Sequence, residues 1–160
     1  MPDWFSQDLM ALVGFLGLVA AAAALGGQWG ARPWYNTLSK PSWTPPNWLF
    51  PIAWTVLYVM IAIAGWLIWR TPHPERELLL TLWGAQLLLN ALWSYIFFGR
   101  KAVALALAEL ILLWLSIATF TIIAWRVDRN ASLLFLPYLI WVSYAGALNA
   151  AIWQRNPVRS

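Results

Sequence analysis

The sequence contains no cysteine and a single histidine, His73, among its 160 residues. Without cysteine the chain can form no disulfide, and it has neither a thiol nucleophile nor a thiolate ligand for a metal. One histidine in a polar run cannot supply the imidazole clusters that membrane metalloenzymes use. We therefore expect no metal site and no required cofactor.

Charged residues are also scarce, because they make up 10% of the chain while hydrophobic residues make up 62%. A typical soluble domain has about 25% charged residues. The formal net charge of +4 is spread over many loops and forms no basic stripe. This pattern argues against nucleic acid as a partner and favours contact with membrane lipid. The composition predicts an integral membrane protein.

Five apolar runs are each long enough to cross a hydrocarbon core about 30 Å thick. They cover about residues 9–25, 51–69, 78–98, 102–125 and 133–153. The connections after the second run are short, so we predict one all-α domain over residues 1–160, a bundle of five transmembrane helices. The first connection, residues 26–50, holds four tryptophans and four prolines. Loops of this length are often functional, and we interpret it as a lid.

The chain carries 14 tryptophans. Tryptophan favours the interface between membrane and water, so we assign those near the ends of the apolar runs to an aromatic belt. They are Trp4, Trp29, Trp66, Trp69, Trp83, Trp125 and Trp153. Trp93 and Trp141 lie well inside their runs, and a belt does not explain them.

Polar and aromatic residues share faces of the predicted helices. Gln86, Asn90 and Trp93 are spaced i, i+4 and i+7, which places them on one stripe of the third helix. A second stripe, on the fifth helix, consists of Tyr138, Trp141, Ala145 and Leu148, and a shorter one on the second helix consists of Trp54 and Tyr58. Two interpretations are open: amides that hold helices together, or a pocket with aromatic walls and a few orienting amides.

Glu109 is the only acidic residue within the predicted membrane segments. A carboxyl group inside a membrane is a candidate functional group, because burying its charge is costly. The alternative is a structural position, shallow enough to reach interfacial water or to pair with an arginine of a loop. The sequence leaves both interpretations open.

Three blocks of the sequence together resemble the translocator protein family, also called tryptophan-rich sensory proteins or peripheral-type benzodiazepine receptors (TspO/MBR). The first block is Trp34-Tyr-Asn-Thr-Leu-Ser-Lys-Pro-Ser-Trp-Thr-Pro-Pro-Asn-Trp48, followed by Phe50-Pro-Ile-Ala-Trp54 and Leu57-Tyr58. The second is Gln86-Leu-Leu-Leu-Asn90 with Trp93 and Phe97-Phe98-Gly99, and the third is Pro137-Tyr-Leu-Ile-Trp141 with Ala145, Leu148 and Asn149. The blocks occur in the family's order from the first loop to the last helix.

The resemblance implies a five-helix bundle whose long first loop closes over a ligand pocket. Members of the family bind tetrapyrroles, notably protoporphyrin IX, and synthetic isoquinoline and benzodiazepine ligands. Positions that match the family's motifs give the expected ligand-binding residues of this chain. These are Tyr35, Pro45, Trp54, Tyr58, Asn90, Trp93, Trp141, Ala145 and Leu148. The resemblance also implies a homodimer, and a bacterial cell membrane, or the outer mitochondrial membrane in a eukaryote, as its location.

Three functions follow from the resemblance. The first is binding and sensing of tetrapyrroles, and the second is transport of porphyrins or other amphipathic molecules. The third is light- and oxygen-dependent breakdown of bound porphyrin, in which Trp54 and Trp141 would take part. The sequence shows no acid–base pair and no nucleophile for conventional catalysis, and it lacks the paired repeats of many transporters. We therefore expect a binding protein.

Animal members of the family carry a sterol-contact pattern near the end of the fifth helix, in which a tyrosine lies between an apolar and a basic residue. Here the corresponding run is Leu148-Asn-Ala-Ala-Ile-Trp-Gln-Arg155, and Ala150 occupies the tyrosine position. Such patterns are weak even when they are complete. We expect no sterol binding by this chain.

Overall fold

The computed structural model describes residues 3–30 and 33–157, with side chains from Ser6 onward. Its helices, in chain order, are α1 (Asp3–Gly27), α2 (Pro33–Asn36), α3 (Leu49–Arg70), α4 (Arg76–Ser94), α5 (Val103–Val127) and α6 (Arg129–Arg155), and α4 continues into a π-helical turn at Tyr95–Gly99. In the described part of the chain, all the regular structure is helical. Five of these helices are long and apolar enough to span a membrane.

The spanning helices form a closed ring in the order α1, α3, α6, α5, α4 and back to α1. In addition, α3 and α4 contact each other directly inside the ring. The ring encloses a packed half and a hollow half. The packed half is centred on Phe120 and Phe135, whose rings stack with centroids 3.9 Å apart. The hollow half, at the end of the bundle nearer the first loop, contains the cavity described below.

The helices extend a few residues beyond the apolar runs, because polar residues also cap and lengthen them. The clearest case is α6, which begins at Arg129, four residues before its apolar run. The carboxylate of Asp128 accepts a hydrogen bond from the backbone N–H of Ala131 at 3.0 Å and so caps the first turn. The first connection also contains the short helix α2, which the sequence pattern did not predict.

Trp83 does not belong to an aromatic belt, so that prediction was wrong for this residue. Its indole is 4% exposed, and its Nε1–H donates to the backbone carbonyl of Ile61 at 2.8 Å. The ring fits there because Gly65 has no side chain: a Cβ at Gly65 would lie 2.5 Å from atoms of the Trp83 ring. By contrast, Trp69, Trp125 and Trp153 are exposed near helix ends. The side chain of Trp4 lies outside the described residues.

The end of α4 is shaped by the π-helical turn. The turn closes with a hydrogen bond from the N–H of Arg100 to the carbonyl of Tyr95 at 2.9 Å. Lys101 then adopts a left-handed conformation with φ of 59°, and α5 starts two residues later. A π turn inserts an extra residue into the helix and often occurs at functional sites. Here it lies beside the cavity and brings Phe98 onto its wall.

Candidate ligand-binding site

A cavity of about 500 Å³ lies inside the ring of helices. This volume falls within the range of about 300–1,000 Å³ that is usual for small-molecule sites. All five spanning helices and the first loop contribute to its wall. The principal lining residues are Ala23, Gly26, Tyr35, Asn47, Phe50, Trp54, Tyr58, Asn90, Trp93, Phe98, Leu110, Leu113, Trp141 and Ala145. The wall is thus mainly apolar, with seven aromatic rings and a few polar groups.

Aromatic rings from α3 and α6 meet at one side of the cavity. Trp54 and Tyr58, one turn apart on α3, have ring centroids 5.2 Å apart. The Trp54 ring stands nearly perpendicular to that of Trp141, at 85° and 6.4 Å, and Phe50 contacts Trp141 edge-on at 5.9 Å. Edge-to-face contacts between large rings are favourable beyond the area they bury. The two indoles therefore hold each other in place while both face the cavity.

Trp93 forms the opposite aromatic wall, and its orientation is fixed from behind. Its ring stacks on Phe97 at 5.0 Å, and its Nε1–H donates to the side-chain oxygen of Asn149 at 3.2 Å. The amide nitrogen of Asn149 donates in turn to the backbone carbonyl of Val103 at 2.9 Å. This positioning role of Asn149 was not predicted, because the sequence did not show that α6 reaches the start of α5.

The two amides of the α4 stripe have different environments. Asn90 lines the cavity, whereas Gln86 is fully buried behind it. Both contact the phenol of Tyr138: Asn90 Nδ2 donates to it at 3.0 Å, and it donates to Gln86 Oε1 at 2.8 Å. Both open interpretations therefore hold in part, because Gln86 joins two helices while Asn90 faces the cavity.

The first loop contributes Tyr35 to the cavity wall and is tied to α6 at two points. Asn156 bonds both the N–H and the carbonyl of Ser39, each at 3.0 Å, and the phenol of Tyr144 donates to the carbonyl of Trp43 at 2.7 Å. Burial, with a smaller contribution from Tyr144, raises the pKa of the Tyr35 phenol. Tyr35 therefore remains a neutral group on the cavity wall.

Seven of the nine expected ligand-binding residues line this one cavity. They are Tyr35, Trp54, Tyr58, Asn90, Trp93, Trp141 and Ala145. Pro45 lies instead in a second, more open groove on the outer side of α6, which it shares with Trp43, Pro137 and Tyr144. Leu148 is buried in a packed cluster with Tyr35 and Leu38. The stripe on α6 therefore leaves the cavity after Ala145.

Several lining residues were missed, and a signal existed for some of them. Phe50 and Phe98 belong to the aromatic blocks of the sequence, four residues from Trp54 and five residues from Trp93 respectively. Leu110 and Leu113 carry no such signal, because an apolar residue of a membrane helix faces lipid, core or cavity without any change in composition. Gly26 is buried against Ser94, whose Oγ would lie 3.3 Å from a Cβ at that position.

Glu109 is buried and does not line the cavity. Its side chain is 6% exposed, and neither carboxyl oxygen has a hydrogen-bond partner among the described residues. Of the two open interpretations, the shallow position that reaches interfacial water or pairs with a loop arginine is therefore wrong, and a functional role stays a prediction. The next residue, Leu110, lines the cavity.

Comparison with known proteins agrees with this architecture. The profile of the TspO/MBR family matches residues 10–154. The chain is similar to Protein CrtK of Rhodobacter capsulatus, with 43% identity over 86% of this chain and 88% of that protein. It is also similar to Tryptophan-rich protein TspO of Chlorobaculum tepidum (38% identity, 95% and 99% coverage) and to Translocator protein of Homo sapiens (33% identity, 97% and 92% coverage).

Proposed function

Because the chain belongs to the TspO/MBR family, we propose that it is a membrane protein that binds and senses tetrapyrroles, such as protoporphyrin IX, in its aromatic cavity. The observation that carries the proposal is the cavity wall formed by Trp54, Trp93 and Trp141. A flat, apolar, conjugated ligand gains most from such rings, because it can stack on one and meet another edge-on.

The few polar groups on the wall suit a ligand that is mainly apolar. Asn90 on α4, Tyr58 on α3 and Tyr35 from the loop contribute hydrogen-bonding groups at separate places. Such groups orient a ligand and add specificity, while the surrounding apolar area provides most of the affinity. The loop, tied to α6 through Asn156 and Tyr144, would hold the bound molecule away from water.

The test is a titration of the purified protein in detergent with protoporphyrin IX, followed at the Soret band of the porphyrin. We expect saturable binding that weakens in the double variant Trp54→Phe, Trp141→Phe and in Asn90→Ala. Trp125→Phe is the matched control, because this indole is exposed at the far end of α5. Binding that the cavity variants leave unchanged would place the porphyrin elsewhere and refute the proposed site.

A second candidate function is light-dependent breakdown of the bound porphyrin. The paired rings of Trp54 and Trp141 favour it, since an electron-rich indole can donate one electron to the excited porphyrin, which passes that electron to dioxygen. The superoxide formed adds to the macrocycle and the electron returns to the indole, so the net change is addition of dioxygen to the porphyrin. The test is to illuminate the loaded protein in air and to measure the loss of the Soret band. Unchanged loss in the double phenylalanine variant, compared at equal porphyrin occupancy, would eliminate this function.

Three further properties are proposed on the resemblance alone. The cavity would also accept isoquinoline and benzodiazepine ligands, the protein would form a homodimer, and it would need no cofactor for binding. Competition against bound porphyrin, the molar mass of the detergent-solubilised particle and titration of metal-free protein test them in turn.

A further inference from the structure

A continuous chain of hydrogen bonds runs from the backbone of α4 through α6 to the cavity wall. Gln86 Nε2 donates to the carbonyl of Trp83 at 2.9 Å. The phenol of Tyr138 donates to Gln86 Oε1 at 2.8 Å and accepts from Asn90 Nδ2 at 3.0 Å. Gln86 and Tyr138 are completely buried, and Asn90 is 3% exposed. No water is needed to complete this chain.

The direction of every bond in the chain follows from its first acceptor. A backbone carbonyl can only accept, so Gln86 must present its NH₂ group to Trp83 and its oxygen to Tyr138. The single phenolic hydrogen of Tyr138 is then used, and its oxygen can only accept from the next group. Asn90 must therefore present its NH₂ group to Tyr138. The hydrogen-bond network alone therefore assigns which atom of each amide is N and which is O.

The remaining carboxamide oxygen of Asn90 opens to the cavity. Among the described residues, the only fully buried side-chain N and O atoms without a hydrogen-bond partner are the two oxygens of Glu109. Asn90 Oδ1 has no partner in the described part of the chain, so it must be accessible. Asn90 lines the cavity, and its oxygen is therefore accessible from there. The wall of α4 thus offers the ligand a hydrogen-bond acceptor.

We propose that Gln86 and Tyr138 lock Asn90 with its oxygen towards the cavity, so that the site selects aromatic ligands with an N–H or O–H donor at their edge. The proposal rests on the proposed function, since it requires a ligand in this cavity. Rotating the Asn90 amide would set its oxygen against the phenolic oxygen of Tyr138, two acceptors without a hydrogen between them. Gln86 and Tyr138 are positioning residues, because they fix the polarity of the site without lining it.

For a porphyrin, the peripheral group that meets this requirement is a propionic acid in its protonated form. The inner N–H groups of the macrocycle point to its centre and cannot reach an acceptor in the wall edge-on. The acceptor would thereby orient the porphyrin with one acid edge towards α4 and its faces towards the indoles of Trp54 and Trp141. An unpaired acceptor penalises a ligand that buries it without a donor.

The test compares carbazole with N-methylcarbazole, two rigid probes that differ in one N–H group. Their dissociation constants are measured by equilibrium dialysis against matched protein-free micelles. We expect the wild-type protein to prefer carbazole by roughly fivefold, the worth of one net hydrogen bond. Asn90→Leu should abolish this preference by removing the acceptor. Tyr138→Phe should reduce it, because the amide can then rotate.

Tyr95→Phe is the matched control, because it removes a partly exposed phenol that neither lines the cavity nor takes part in the chain of hydrogen bonds. It should keep the full preference. A wild-type protein that binds both probes equally overturns the proposal, even if Tyr138→Phe fails to fold. Full preference in a folded Tyr138→Phe variant overturns the positioning role.

Titration with protoporphyrin IX in parallel separates this inference from the proposed function. Saturable porphyrin binding without discrimination between the carbazoles contradicts the fixed polarity alone. A protein that binds neither porphyrin nor carbazole contradicts the proposed function and this inference with it.

Discussion

At the residue scale, single buried side chains decide where the bundle gains and where it loses folding free energy. Glu109 is the clearest cost, because its carboxyl group lies in the apolar interior and neither oxygen has a partner among the described residues. Burying a polar group without a hydrogen bond is unfavourable whether or not it carries charge. Trp83 shows the opposite case, since its N–H is paired with a carbonyl in the core.

Replacing Glu109 with leucine should therefore stabilise the protein. The change removes an unpartnered polar group and keeps a side chain of similar size, so we expect a gain of roughly 1–3 kcal/mol. The measurement is reversible unfolding in mixed micelles. Glu77→Leu is the control, because the Glu77 side chain is exposed on the first turn of α4. The opposite result would be a Glu109→Leu variant that is less stable than the wild type and binds ligand more weakly. It would show that the carboxyl group is used.

Replacing Gly65 with alanine should destabilise the protein. A Cβ there would lie 2.5 Å from the Trp83 ring and 2.8 Å from Phe15, and overpacking of this kind costs about 1–3 kcal/mol. Gly84→Ala is the matched control, since nothing lies within 4 Å of a Cβ at that position. Thermal unfolding in detergent should thus show a lower midpoint for the first variant only. Equal midpoints would mean that the Trp83 ring moves aside without cost.

At the scale of the elements, composition predicted the five spanning helices but not their exact ends. A run of apolar residues marks the part of a helix that lies in hydrocarbon, whereas caps such as Asp128 extend the helix outside it. The π turn at Tyr95–Gly99 has no compositional signal at all. It depends on how one helix end packs against its neighbours.

The candidate site was predictable where residues of one helix share a face. Asn90 and Trp93 lie on the same cavity wall because they are close along α4. Contacts between helices were not predictable: the bond from Trp83 to Ile61 joins residues 22 positions apart, and Gln86 meets Tyr138 across 52. Periodicity describes which residues face the same way, but not what they face.

The tie between the first loop and α6 gives a prediction at this scale. Asn156→Ala removes both hydrogen bonds to Ser39, so the loop should open more often. We expect faster hydrogen exchange at the backbone amides of residues 37–44 and, with porphyrin bound, a faster release rate. Gln154→Ala is the control, because Gln154 is exposed on the same helix end. Unchanged exchange would show that Tyr144 and packing hold the loop alone.

At the scale of the whole molecule, the ring of helices encloses a cavity at only one end of the bundle, the end nearest the first loop. The cavity residues of α3 and α4 lie in the halves of those helices nearest the first loop, at residues 50–58 and 90–98. The opposite half of the ring is filled by side chains that are completely buried. They include Ile61, Ile68, Leu79, Ile117, Phe120 and Phe135. The cavity is therefore a closed-ended site rather than a path across the bundle.

This asymmetry predicts binding without transport. Opening a route through the packed half would require separating the stacked rings of Phe120 and Phe135 and displacing Trp83 from its carbonyl partner, which costs several buried contacts at once. Vesicles loaded with protoporphyrin IX should therefore lose it no faster with the protein than without it. The Trp54→Phe, Trp141→Phe variant serves as the comparison, because it weakens the site and leaves the packed half intact. Protein-dependent efflux that this variant abolishes would show that the ring opens on both sides, and that the binding site is one stage of a transport cycle.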